Sequence, residues 1–156
     1  MNLTVNHELV NRIKNALTRP VCINMRRWAE DDYDAVDFVT EIRKLRLFEN
    51  CGTTACIGGL ACYLATDDEI AGVVGKYDLD GFKADHPEYI AAGLLLDGHD
   101  SIDVLCGVCD SLFHLMHWPP KEYEAYNNSK TSTERVRVVL RRLNNWVAEV
   151  EARSAK

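Results

Sequence analysis

From Asn50 to Ala65 the chain carries no charged side chain, and Ile57, Leu60, Ala61 and Leu64 recur there at helical spacing. A turn-like start, Asn50 to Thr53, precedes them, so the pattern predicts a helix over 53–65. A helix with no polar face is a buried one. Its small residues, Ala55, Gly58, Gly59 and Ala61, lower helix propensity but let neighbouring backbones approach, which suits the centre of a bundle.

The other periodic segments are amphipathic and predict helices that wrap this one. Leu9, Val10, Ile13 and Leu17 form one stripe of a short helix from His7 to Leu17, stopped by Pro20. Val21 to Met25 is β-prone and reads as a short strand or extended connector. Asp31 to Arg46 is helical through Ala35, Phe38, Val39, Ile42 and Leu45, with acids early and Arg43, Lys44 and Arg46 late, as the helix dipole prefers. Asp67, Asp68 and Glu69 suggest a cap and acidic first turn for a helix through Val74, closed by Gly75. Pro87 sits in the favoured first turn of a helix running from Asp85 through Leu96 to a stop at Gly98.

Ile102, Leu105, Cys106, Cys109, Leu112, Phe113 and Met116 follow the spacing of one continuous buried helix face, ending before Trp118-Pro119-Pro120. Asn127 to Thr133 reads as a polar loop, after which Thr131 or Ser132 caps a last helix with Val136, Val139, Leu140, Leu143, Val147 and Val150 inward. The expected fold is mainly α: a single-domain helical bundle over 1–156 around a buried central helix, with at most one short β element near residues 21–25.

Composition agrees. A chain of 156 residues, 47% hydrophobic and 27% charged, can bury a core without disulfide or metal staples, which argues against disorder. No apolar run is long enough to span a bilayer, and Met1 to Asn15 lacks the apolar core of a secretion signal, so a cytoplasmic location is expected. The six cysteines should then stay reduced. The net charge of −6 opposes binding to nucleic-acid backbone. Arg135, Arg137, Arg141, Arg142 and Arg153 crowd the last helix, and Arg26 and Arg27 precede Trp28, but solvated charge opposite an apolar stripe accounts for the helix. Trp28, Trp118 and Trp146 are expected to fill core or rim volume.

Three segments carry a family likeness: Cys51-Gly52-Thr53-Thr54-Ala55-Cys56-Ile57-Gly58-Gly59-Leu60-Ala61, then Ala91-Ala92-Gly93-Leu94-Leu95, then Leu112-Phe113-His114-Leu115-Met116-His117-Trp118-Pro119. Over roughly residues 45 to 148 the chain resembles a family of small phage and bacterial proteins of uncharacterised function, which share a Cys-Gly-Thr-x-x-Cys-Ile-Ala-Gly core and a later Leu-Phe-x4-Trp-Pro. The resemblance implies a phage-type accessory protein that binds a host or phage protein, countering a host defence being one such role. If phage-encoded, it would act in the host cytoplasm. It supplies no catalytic residue and no cofactor.

Two kinds of chemistry compete with this reading. Cys51, placed at a helix N-terminus, would have its thiolate favoured by the helix dipole, and His99 beside Asp97 and Asp100 is the best available base for a cysteine-dependent hydrolase. Cys106-Gly107-Val108-Cys109 has zinc-ligand spacing and, with Cys51 and Cys56, would make a zinc-stabilised regulatory module. Against zinc, Cys106 and Cys109 lie on the apolar stripe, where free cysteine acts as a small hydrophobe. His114 and His117 lie one turn apart and can pair, but on one straight helix Cys106 would be about 16 Å from His117. Asp78-Leu79-Asp80-Gly81 lacks the later ligands of a calcium loop and reads as a turn.

Overall fold

The computed structural model describes residues 3–18, 22–23, 54–79, 87–97 and 101–156. The expected helix over 31–46, the Arg26-Arg27-Trp28 segment, and the residues Cys51, Asp80, Asp85, Gly98 and His99 lie outside them.

Among the described residues the fold is mainly α. In chain order it runs β1 (Thr4–Val5), α1 (His7–Ala16), β2 (Cys22–Ile23), β3 (Thr54–Ala55), α2 (Ile57–Leu64), α3 (Asp67–Tyr77), α4 (Pro87–Leu95) and β4 (Leu96–Asp97). Then come α5 (Ile102–Val108), a π-helical turn (Cys109–Phe113), a 3-10 turn (Leu115–His117), α6 (Pro120–Asn128) and α7 (Ser132–Ser154). Two minimal strand pairs tie distant segments: β1 with β4, antiparallel, and β2 with β3, parallel.

The charge-free helix is central. Ile57 to Cys62 are all buried, and α2 packs against α1, α4 and the π turn. It is shorter than the sequence pattern suggests. Thr54 and Ala55 are extended and pair with Cys22 and Ile23, so the helix starts at Ile57 with Cys56 as its cap. The β-prone character read over residues 21–25 is realised at Cys22–Ile23, and the partner is the stretch expected to be the first turn of α2.

Other boundaries move for identifiable reasons. In α3 the cap is Thr66, whose hydroxyl accepts from Glu69 N–H while Glu69 accepts from Thr66 N–H, a reciprocal capping box. The helix runs past Gly75 to Tyr77. It ends only where Asp78 adopts a left-handed conformation (φ 53°) and delivers Leu79 into the core, Leu79 N–H bonding back to Val74 C=O at 2.9 Å. An exposed glycine did not stop the helix because the next residue with a core position lies a turn further on. Leu96 is not helical: it pairs with Val5, while Asn6 N–H and its side-chain amide hold Leu95 and Leu94 carbonyls at 2.9 Å. α6 is a helix that no apolar stripe announced; Pro120 at its first turn and Tyr126 in the core define it. Thr131, not Ser132, caps α7, again through a capping box with Glu134.

Along α7 the inward residues are Val138, Val139, Arg142, Leu143, Trp146, Val147 and Val150, with Val136 and Leu140 half-buried. Trp118 and Trp146 are core residues, as expected. No helix among the described residues is long and apolar enough to cross a membrane.

Candidate functional site

The segment from Cys109 to Trp118 departs furthest from the expected single helix. α5 ends at Val108, and the next turn closes in π fashion, His114 N–H reaching Cys109 C=O at 3.0 Å. His114 is then extended (φ −90°, ψ 99°) and a 3-10 turn follows. The wider turn shifts the apolar phase. Leu112 and Phe113 stay buried and Leu115 joins them, while the two ends of the expected stripe, Ile102 at 41% exposure in the first turn of α5 and Met116 at 84% beyond the π turn, face solvent. Ile102 and Met116 are therefore corrected from core to surface.

Ending a helix inside the protein leaves carbonyls without helical donors. Here buried side chains supply them. Trp118 Nε1–H donates to Leu112 C=O at 3.0 Å, its ring lying edge-on to Tyr126. Arg142 Nε–H donates to Ser111 C=O at 3.1 Å.

Arg142 also corrects the expectation of a solvated arginine, for it is only 2% exposed. Its guanidinium makes paired 3.0 Å bonds to both Glu149 oxygens and a 3.0 Å bond to Glu122, whose other oxygen accepts from Asn145 Nδ2. Burial disfavours the charge, but the hydrogen bonds and attraction of Glu149 and Glu122 outweigh it and hold the Arg142 pKa above its ordinary value. Five donors in a planar fork let one arginine serve α6, α7 and the π turn together.

The corner held in this way presents three polar side chains on one side. Asp110 Oδ1 lies 3.1 Å from His114 Nδ1 and 3.5 Å from His117 Nδ1, and the two imidazoles meet edge to face with centroids 5.8 Å apart. All three are exposed. In a straight helix seven residues separate Asp110 from His117 by about 10 Å. With His114 extended and a 3-10 turn after it, the side chains of Asp110 and His117 nonetheless meet at 3.5 Å. Sequence reasoning paired the histidines but left out Asp110; its i, i+4 relation to His114 was the available signal, whereas the return of His117 depends on a turn the periodicity hides.

The cysteines are placed differently. The thiol that caps the positive end of α2 is Cys56, whose Sγ accepts from Gly59 N–H at 3.4 Å, while Cys51 lies outside the described residues. Burial pushes the Cys56 thiol up to about 11, against the lowering effect of the Gly59 and Gly58 amides. Cys109 is buried and its pKa is likewise raised, by desolvation first and then by the charge of Glu88. Both are protonated near neutral pH and poor nucleophiles. Cys106 is half-buried, its thiol 3.6 Å from the Tyr89 hydroxyl, and that contact contributes most to raising Tyr89 to about 12. Among the described residues, the cluster whose donor atoms converge is Asp110, His114 and His117, with no cysteine in it.

A shallow cleft of about 230 Å³ between α3 and α4 completes the candidates. Arg12 stands beside it, bonded to Glu69 at 2.5 and 3.2 Å and to Leu64 C=O at 2.9 Å. No family model, curated protein or solved structure matches this chain.

Proposed function

We propose that this protein is an accessory protein of the phage type that acts by binding another protein, and that the Cys109–Trp118 corner is its contact surface. The observation that carries the reading is Met116, 84% exposed on a short turn that enters from buried Leu115 and, after exposed His117, returns to the core at Trp118. Burying a methionine side chain is worth about 1.5–3 kcal/mol. Displaying it on a turn whose flanks are fixed in the core keeps the entropic cost of docking low, and methionine adapts to varied apolar surfaces. Countering a host defence is one role that such binding would serve.

The test is affinity capture from host-cell extract with the wild type and with Met116→Ser, whose fold should be unchanged because the side chain is in solvent. A defined partner retained by the wild type and weakened at least about tenfold by Met116→Ser supports the reading, since anchors of this kind carry 2 kcal/mol or more. No partner, or one retained equally by both, rejects it. The cysteine-hydrolase alternative, with Cys51 and His99, takes its place if Cys51→Ser abolishes the biological effect without loss of folding.

A further inference from the structure

We infer that Asp110, His114 and His117 form a binding site for a divalent transition-metal ion of the zinc class, independent of the docking role proposed for Met116. One nitrogen from each ring and one carboxylate oxygen lie within 4.8 Å of one another. Zinc takes histidine nitrogen and carboxylate oxygen at about 2.0–2.2 Å in tetrahedral array, so adjacent donors should stand about 3.3 Å apart. The two Asp110–histidine separations, 3.1 and 3.5 Å, bracket that edge. The third edge, between exposed imidazoles, needs only side-chain rotation to close.

The scaffold is built for it. A π turn is rare in helices and frequent at functional sites. Here the buried side chains of Trp118 and Arg142 donate to its carbonyls, so the backbone that carries the three ligands is fixed before any ion arrives. Two imidazoles and one carboxylate suit zinc and its neighbours in the first transition row, and suit magnesium and calcium poorly, since those ions want oxygen. Exposure of all three ligands spares the site any burial penalty and leaves the remaining coordination position to water or to a donor atom of another molecule.

The test is titration of the full chain with zinc chloride against a chromophoric chelator, repeated with His114→Ala, His117→Ala and Asp110→Asn, and with cobalt(II) as a spectroscopic substitute. The expected result is one equivalent bound by the wild type. Each histidine variant should weaken it at least about tenfold, because loss of a ligand costs no less than loss of an outer-shell partner. The cobalt spectrum should show no sulfur-to-metal charge-transfer band. All four residues' side chains, Met116 included, are in solvent, so far-ultraviolet dichroism should stay unchanged, and Met116→Ser should bind zinc like the wild type. Absence of binding, undiminished binding in the histidine variants, or a thiolate band in the cobalt form would each overturn the site.

Discussion

Arg142 shows how much can rest on one side chain. It satisfies the Ser111 carbonyl and neutralises Glu122, itself only 7% exposed. Replacing Arg142 with leucine strands that carboxylate and the carbonyl together, and breaking a buried pair in this way costs about 3–5 kcal/mol. Urea denaturation of Arg142→Leu should show that loss. A second residue-scale expectation concerns acid. The Arg12 hydrogen bond, opposed by partial burial, holds the Glu69 carboxyl below the ordinary range. A group whose folded pKa is depressed stabilises the fold above its unfolded pKa, about 4.3, and that contribution is lost as pH falls through the folded value. The urea midpoint should therefore drop on acidification below about pH 4.3. Glu69→Gln, which keeps a capping-box partner, should flatten that part of the curve.

At the scale of elements, two glycines in neighbouring helices have opposite meanings. A Cβ on Gly93 would come within 2.6 Å of Val73 Cγ1 and 3.3 Å of Tyr77, so α3 and α4 approach closely only because that hydrogen is there. Around Gly75 the space is empty. Gly75→Ala should stabilise by about 0.5–1 kcal/mol through helix propensity. Gly93→Ala gains a similar propensity term but meets an overpacking cost of about 1–3 kcal/mol, so its denaturation midpoint should fall. The same contrast shows what could be read in advance. Apolar periodicity marked α1, α2 and α7 because burial of a helix face leaves a 3.6-residue trace, as at Leu9, Val10 and Ile13. It could not mark the end of α3, which depends on where Leu79 must land, nor the strand at Thr54–Ala55, whose partner is over thirty residues away in sequence. It also passed through Cys109–Phe113 as though the helix were straight, since a single π turn leaves the apolar count intact and changes only its phase.

For the molecule as a whole, α2 supplies the shared core and α7 supplies the brace. α7 packs on β1, β2, α6 and the π turn, reaching both strand pairs and the proposed metal corner. The candidate site was half legible: His114 and His117 stand out by spacing, while Asp110 lies on no apolar or ligand pattern that marks it, and nothing in the sequence links any of them to an arginine some thirty residues later. That link separates cause from symptom in a genetic screen. Substitutions at Arg142 would abolish whatever the outer corner does while changing no atom that a partner or ion ever touches. Loss-of-activity alleles should consequently gather along the hidden side of the C-terminal helix, and suppressors should be sought among its acidic neighbours before the corner itself.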